Sequence, residues 1–284
     1  MKRINFIIKI LAAYFVRLNF NINSEEFKKI YKRGFVYFFN DTISKEISIF
    51  GTYEKEQLNK IIDITKSKKR RICLDIGANI GNHTLFFSNF FEKVISFEPH
   101  YKTFQVLKIN TKNNKNIKIF NLALSNKKSF LYFKDTQTTN MGGNSLHKTG
   151  EFKVRVNRLD NIIYSKKIDF IKIDTEGFEY RVLIGMKKLL ANNNPIIMYE
   201  FDAKNYTEND DTIKYLKKLN YKYFYFFDQD FDYYNYKIKN LIFLFMRILF
   251  FGIITNKIYL KKITQFKDQK NYFKDTLICT KHEL

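Results

Sequence analysis

Short apolar runs alternate with longer amphipathic stretches through the middle of this chain. The apolar runs predict buried strands at 72–74, 94–97, 117–120, 168–173 and 196–201. The amphipathic stretches predict helices at 83–91, 101–113, 180–190 and 211–219. Strands that alternate with helices predict an α/β fold, in which a mostly parallel sheet carries helices on both faces and binds ligands at the carboxyl ends of its strands.

The regions on either side of this alternation predict the domain organisation. Residues 1–69 are predicted to form an N-terminal helical arm, in which residues 21–69 are polar and mixed, with helix-like stretches at 25–32 and 54–66. Residues 70–284 are predicted to form the α/β domain, with a hydrophobic insertion at about 232–272. Further strands are predicted as a hairpin at 128–134 and 152–158 and as single strands at 221–227 and 276–280.

Two apolar segments do not fit the alternating pattern. The first, within residues 1–20, resembles a signal peptide, but Lys9 interrupts it and no small-x-small cleavage site follows. An amphipathic helix, packed on the domain or lying on a membrane, is favoured. The second, 238–254, is nearly long enough to span a bilayer, but Lys239 and Arg247 argue against that. A core helix, a lid over the acceptor pocket and a helix on an anionic membrane surface are the alternatives.

Composition restricts the partners and the compartment. The net charge is +22, which usually indicates nucleic acid, an anionic membrane or an acidic substrate. The positive residues are scattered as pairs, however, which is typical of a solvated exterior, and no nucleic-acid partner is expected. Cys73 and Cys279 lie in apolar runs without metal or disulfide spacing, which fits a reducing cytoplasm.

A glycine-bearing turn follows the first predicted strand, with the sequence Asp-Ile-Gly-Ala-Asn-Ile-Gly at 75–81. Gly77 and Gly81 allow a sharp turn and a close backbone approach to a ligand. Asp75, at the predicted strand end, can orient the loop or accept from an ammonium. The spacing matches neither the dinucleotide fingerprint nor a P-loop. Glu98 lies twenty-one positions after Gly77 and can accept from both ribose hydroxyls of an adenosine. An ordinary strand–turn–helix corner is the alternative interpretation.

A second motif follows the fourth strand of the alternation, at 174–179, with the pattern D-x-E-G-x-E. The chain resembles the FkbM family of methyltransferases over residues 47–202. The stretches that carry the resemblance are 51–54, 75–81, 97–99, 121–123, 158–160 and 172–179. The resemblance implies a Rossmann-like class I methyltransferase fold. It also implies S-adenosylmethionine-dependent O-methylation of a hydroxyl on a sugar, glycan or related metabolite, as in polysaccharide biosynthesis.

The resemblance and the local chemistry together select the site residues. A hydroxyl acceptor must lose a proton, so Asp174 and Glu176 are predicted as catalytic carboxylates, with His147 as an alternative base. Glu179 has two interpretations, as a helix-start residue or as a catalytic group. The residues predicted to bind the donor are Glu54, Asp75, Gly77, Asn79, Gly81, Asn82, Glu98, Asn121, Ala123 and Asp174.

Several alternatives stay open at this point. Glu200 and Asp202 follow the neighbouring strand, and with Asp174 and Glu176 they provide enough oxygen ligands for a divalent cation, although no metal site is assigned. The acceptor is expected to be free or lipid-linked, with peripheral contact at the inner membrane face if an apolar segment touches lipid. The alternative function is a non-catalytic basic binding protein for a membrane surface or RNA, built on a degenerate methyltransferase fold.

Overall fold

The computed structural model of the chain describes residues 34–38, 43, 44, 47, 51–133, 146, 147, 149–164, 167–201, 210–229, 258–264 and 276–284. The helices predicted within 1–20, at 25–32 and at 238–254 lie outside these residues, as does Asp202. Among the described residues, no helix is long and apolar enough to cross a bilayer.

The described elements follow the predicted alternation of strands and helices. The helices are α1 (Lys55–Ile64), α2 (Asn82–Ser88), α3 (Tyr101–Thr111), α4 (Glu179–Gly185), α5 (Lys187–Asn192) and α6 (Asp211–Lys218), with short 3₁₀ turns at Thr65–Ser67 and Leu159–Asn161. The strands are β1 (Ile72–Ile76), β2 (Lys93–Phe97), β3 (Ile117–Phe120), β4 (Ala123–Leu124), β5 (Ser129–Phe133), β6 (Leu146–His147), β7 (Phe152–Asn157), β8 (Ile168–Ile173), β9 (Ile196–Glu200), β10 (Tyr223–Gln229), β11 (Ile258–Lys262) and β12 (Thr276–Thr280).

The main sheet has eight strands in the order β11-β10-β12-β9-β8-β1-β2-β3. The five strands from β9 to β3 are mutually parallel, whereas β12 is antiparallel to both β9 and β10. The prediction of a mostly parallel sheet is therefore confirmed. The chain leaves β1 for β2 and β3 and returns on the other side of β1 as β8. The carboxyl ends of β1 and β8 thus form the topological switch point, where parallel sheets bind their ligands.

Apolar side chains cover both faces of the main sheet. On one face, helices α4, α5 and α6 pack on strand residues such as Leu74 and Ile171. On the other face, α1 and α2 pack on Cys73 and Phe170, with Leu58 of α1 fully buried. Helices on both faces are thereby confirmed. Helix α1 falls within the predicted N-terminal arm, yet it forms part of the core of the α/β domain.

A smaller sheet, in the order β4-β7-β5-β6, lies between β3 and β8 in the chain. Strands β5 and β7 pair antiparallel from Ser129 with Val156 to Phe133 with Phe152, which confirms the predicted hairpin. Strand β6 was not predicted. It pairs His147 with Tyr132.

One other prediction about the elements is corrected. The helix predicted at 180–190 is divided at Met186 into α4 and α5. The second helix starts afresh because the Asp160 carboxylate accepts hydrogen bonds from the N–H groups of Lys188 and Leu189, at 3.0 and 2.9 Å. The predicted insertion at 232–272 contains the edge strand β11, which pairs with β10.

Candidate active site

A cavity of about 320 Å³ opens at the switch point of the main sheet. Its walls come from the loops that follow β1, β2, β3 and β8, from the end of β9, and from the segment before α1. Its polar and small lining residues include Glu54, Gly77, Asn79, His83, Glu98, His100, Ala123, Lys172, Asp174, Glu176 and Glu200. Phe97, Leu122 and Phe133 provide apolar walls.

The loop after β1 packs directly against the loop after β8. Gly77 has a φ of +80°, and a Cβ on it would lie 1.7 Å from the backbone oxygen of Asp174. The N–H groups of Gly77 and Ala78 both donate to the Phe97 carbonyl, at 3.0 Å. Asn79 also has a positive φ, of 48°. The glycine at this position is required because two backbones approach too closely for any side chain.

Glu98 lies after β2 with both carboxylate oxygens engaged by backbone. One oxygen accepts from the N–H of Asn79 at 2.9 Å and the other from the N–H of His100 at 2.8 Å. Burial raises the pKa of Glu98 to about 7, because the charged form loses solvent and the two N–H donors offset only part of that loss. The carboxyl group is thus fixed at the cavity wall and titrates near neutral pH.

Lys172 is the buried positive charge at the centre of the site. Its Nζ lies 3.0 Å from Asp174 Oδ2 and 3.6 Å from Asp75 Oδ1, and it donates to the Gly77 carbonyl at 3.0 Å. Burial opposes its charge, but the two carboxylates outweigh burial and hold the pKa of Lys172 above its ordinary value. Asp75 is fully buried and accepts from the Thr84 hydroxyl at 2.6 Å. Asp75 also lies inside β1, not at the strand end where the apolar pattern placed it.

Three carboxyl groups converge beside Lys172. Oxygen atoms of Asp174, Glu176 and Glu200 all lie within 4.8 Å of one another. Burial acts to raise the pKa of Asp174, but Lys172 outweighs it and holds that pKa below its ordinary value. Burial, followed by Asp174 and Glu176, raises the pKa of Glu200 to about 9. Glu176 has a φ of 52°, a strained conformation for a residue with a side chain. The two pKa shifts therefore run in opposite directions, so that the charged form is favoured at Asp174 and the protonated form at Glu200.

A family model for the methyltransferase FkbM domain matches residues 75–223, more than half of the chain. The protein belongs to the FkbM methyltransferase family. Membership implies S-adenosylmethionine as the methyl donor.

Two curated relatives of this FkbM protein are partial matches. Hexuronic acid methyltransferase AglP of Haloferax volcanii is 25% identical over 139 residues, which are 48% of this chain and 58% of that protein. A putative methyltransferase of Dictyostelium discoideum is 40% identical over 58 residues, which are 20% of this chain and 22% of that protein. The chain thus spans less than two thirds of either relative.

Solved structures resemble the FkbM protein in fold. A methyltransferase FkbM structure from Methylobacillus flagellatus is 18% identical and covers 54% of this chain and 39% of its own, with a TM-score of 0.39. A SAM-dependent O-methyltransferase of Thermotoga maritima is 10% identical and covers 84% and 71%, with a TM-score of 0.43. The family match, together with the parallel strands β9-β8-β1-β2-β3 and their helices, identifies a class I methyltransferase fold.

The structure brings most of the predicted site residues of the FkbM protein to one cavity. Seven of them line it: Glu54, Gly77, Asn79, Glu98, Ala123, Asp174 and Glu176. The other five, Asp75, Gly81, Asn82, Asn121 and His147, are described but do not line it.

These five residues have other contacts. A Cβ on Gly81 would lie 2.8 Å from Leu107. Asn121 donates to the carbonyls of Glu98 and Pro99, at 2.9 and 3.0 Å, and so braces the loop that carries Glu98. His147 lies on β6 of the small sheet.

Asn82 joins the segment before α1 to the loop after β1. Its side chain accepts from the N–H of Tyr53 at 3.0 Å and donates to the Tyr53 carbonyl at 3.1 Å. Glu54 comes next, and its carboxylate lies 3.2 Å from Nε2 of His83. His83 is a cavity residue that the sequence did not predict. His83 could have been predicted from its position in the first turn of α2, directly after the glycine loop.

Glu179 begins α4, and its carboxylate turns back onto the loop after β8. One oxygen accepts from the N–H and the hydroxyl of Thr175, at 2.9 and 2.8 Å, and from the N–H of Gly177 at 3.2 Å. These contacts support its interpretation as a helix-start residue. They also hold the loop that carries Asp174 and Glu176.

Proposed function

We propose that the protein transfers a methyl group from S-adenosylmethionine to a hydroxyl group of a sugar, glycan or related metabolite. The observation that carries the proposal is the placement of Glu98 and of the Asp174, Glu176 and Glu200 cluster around one cavity at the switch point. Glu98 follows β2 and Asp174 follows β8, two strand positions away, or about 10 Å at roughly 4.8 Å per strand. That separation suits a ligand with a ribose at one end and a reactive group near the other.

The residues of the cavity fit this donor. Glu98 can accept from ribose hydroxyls, and the apolar side chains of Phe97, Leu122 and Phe133 suit an adenine ring. When bound, S-adenosylmethionine supplies an electrophilic methyl group on a positively charged sulfur. The carboxylates at the ends of β8 and β9 are suited to stabilise that positive charge.

The acceptor side of the cavity requires groups that bind and deprotonate a hydroxyl. The side chain of Asp174 is 39% exposed, while Lys172 keeps it ionised, so Asp174 can accept a hydrogen bond from an incoming hydroxyl. Glu176 lies beside it on the same loop. We assign both as catalytic carboxylates. His147 stays an alternative base, on the small sheet.

A sugar is the favoured acceptor because a partial relative, AglP, is a hexuronic acid methyltransferase. The free, buried thiols of Cys73 and Cys279 support a reducing, cytoplasmic site of action. Peripheral membrane contact rests on segments that lie outside the described residues, so binding to anionic vesicles has to be measured separately.

The experiment is a methyl-transfer assay of the full chain with methyl-labelled donor. The acceptors are free hexuronic acids, neutral sugars and lipid-linked glycans, which separates the free from the lipid-linked class. We expect label in a sugar product, with a loss of roughly 10²–10⁴-fold in Asp174→Asn, because the acceptor hydroxyl would lose the charged group to which it hydrogen-bonds within the acid–base cluster. The control is Glu92→Gln, which removes an exposed carboxylate just before β2, at the opposite end of that strand from Glu98.

Label on an amine or thiol acceptor and never on a hydroxyl would contradict the proposal. Failure to bind the donor in calorimetry would favour the alternative, a non-catalytic basic binding protein, for which the net charge of +22 is the supporting observation. Binding to RNA or to anionic vesicles is then the measurement that follows. Loss of activity with a chelator, restored by magnesium, would assign the carboxylate cluster to a divalent cation.

A further inference from the structure

Among the described residues that line the cavity, the acidic groups around the cluster outnumber the basic ones. Asp174, Glu176 and Glu200 lie within 4.8 Å of one another, and Asp75 lies on the far side of Lys172. The ammonium of Lys172 is divided between Asp75 and Asp174, at 3.6 and 3.0 Å. Carboxylates this close cannot all be ionised in a partly dry site. The cluster must therefore retain a proton when no further cation is present.

The retained proton lies on Glu200, the last residue of β9. Asp174 has the Lys172 ammonium within ion-pair distance, whereas Glu200 faces the carboxyl groups of Asp174, Glu176 and Glu179. The protonated Glu200 donates a hydrogen bond to Asp174. In the sheet, Glu200 pairs with Thr276 of β12, and the side chain of Thr276 is not titratable. The other titratable residues that line the cavity are Glu54 with His83, and Tyr53, Glu98 and His100.

We propose that Glu200 accepts the proton of the acceptor hydroxyl, and that binding of the positively charged donor is what ionises Glu200 for this role. The inference rests on the proposed function, because the cation is the sulfonium of the methyl donor. A positive charge placed beside the cluster favours the ionised form of Glu200, because it offsets part of the repulsion from Asp174 and Glu176. The free protein has no ionised base at Glu200, so the base forms only when the donor is bound.

The proton and the charges balance through the reaction. The O–H bond of the acceptor breaks and its proton passes to the Glu200 carboxylate. The acceptor oxygen forms a bond to the methyl carbon, whose bond to sulfur breaks with the electron pair remaining on sulfur. A cation and a carboxylate are thereby converted into a neutral thioether and a carboxylic acid. The cluster returns to the protonated state that it has without a cation, ready for release of the product.

The test compares two ligands that differ by one charge. S-adenosylmethionine and S-adenosylhomocysteine share the adenosine and the amino-acid group, so titration of Glu98 affects both equally. Calorimetry with a chelator present, in buffers of different ionisation enthalpy, counts the protons released on binding. We expect the charged ligand to release more protons than the neutral one, by roughly half a proton to one proton. The ratio of the two affinities should then rise by up to about tenfold per pH unit between roughly pH 6.5 and 8.5.

The variants decide which residue is responsible. Glu200→Gln should abolish the difference in proton release and flatten the pH dependence of the ratio, while it keeps the affinity for S-adenosylhomocysteine. Glu92→Gln should behave as the wild type. A pH-independent ratio in the wild type would overturn the inference, as would a difference that persists in Glu200→Gln, which would assign the proton to Glu176 or His83. If neither ligand binds, the proposed function itself fails, and that outcome is distinct from binding without proton release.

Discussion

Replacement of Lys172 by methionine tests whether one buried ammonium holds the site together. At an effective dielectric constant of about 20, charges at the observed 3.0 and 3.6 Å attract by roughly 5.5 and 4.6 kcal/mol before the cost of burial is subtracted. Removal of one partner from a buried pair costs roughly 3–5 kcal/mol in net terms. We expect the lower end of that range, because the Asp174 side chain is 39% exposed and solvent screens its pair.

The penalty should depend on pH in a defined direction. In the wild type the pKa of folded Asp174 is lowered, so its ion pair contributes stability above the unfolded value, about 3.9, and loses it as pH falls through the folded value. Without Lys172, the half-buried Asp174 lacks a counter-charge at pH 7, and its protonation relieves this at lower pH. The destabilisation should therefore be largest near pH 7 and smaller at pH 5.

Urea unfolding followed by circular dichroism at both pH values measures this effect. The control is Lys187→Met, the same change on the exposed face of α5, which should alter the free energy of unfolding by less than about 0.5 kcal/mol. A penalty below about 1 kcal/mol at pH 7, or one that is equal at pH 7 and pH 5, would refute the central role given to Lys172.

Three further predictions concern the cavity. Glu98→Gln should weaken binding of S-adenosylhomocysteine by roughly 1–3 kcal/mol in calorimetry, whereas Glu92→Gln should not. In the wild type that affinity should fall as pH drops below about 7, because ribose hydroxyls donate to the ionised form of Glu98; a flat profile would argue against the contact. Gly77→Ala should unfold at lower urea than Gly34→Ala, because both glycines have positive φ but only the Cβ at Gly77 would meet backbone, at 1.7 Å. Equal midpoints for the two alanine variants would contradict that geometry. Glu176→Gln should lower turnover by roughly 10²–10⁴-fold with donor affinity little changed, and parallel losses of both would place Glu176 in the donor pocket instead.

The apolar pattern predicted the bounds of a strand best where an apolar run is followed at once by a polar or charged residue. Strands β3, β8 and β12 have the predicted bounds, 117–120, 168–173 and 276–280. Glu98 and Asp174 both line the cavity for the same reason, since each is the first charged residue after a buried strand. The carboxyl ends of parallel strands meet at one edge, so the sequence order of these residues was enough to predict that they share a site.

The pattern failed where the local structure depends on a residue that is distant in the sequence. The apolar run 72–74 predicts that β1 ends at Asp75, because a carboxylate inside a buried strand is unfavourable on its own. The strand continues to Ile76 because Lys172, on the neighbouring strand β8, lies 3.6 Å from that carboxylate. The break between α4 and α5 has a similar origin, since its cap is Asp160, 28 positions before Lys188. Neither partner can be inferred from spacing along the chain.

Lys172 also explains why the sequence predicted only part of the chemistry of the site. It lies in the strand Ile-Asp-Phe-Ile-Lys-Ile, where a lysine looks like a solvent-facing residue, yet every residue of that strand is buried. The sequence indicated the carboxylates but not the ammonium that divides them into an ionised Asp174 and a protonated Glu200. That division decides what the site can do, because an ionised group binds a hydroxyl or a cation whereas a protonated one must first release its proton. In the reaction that we propose, Glu200 becomes the base only when the donor is bound, so the charges on Lys172 and Glu200 link cofactor binding to proton transfer.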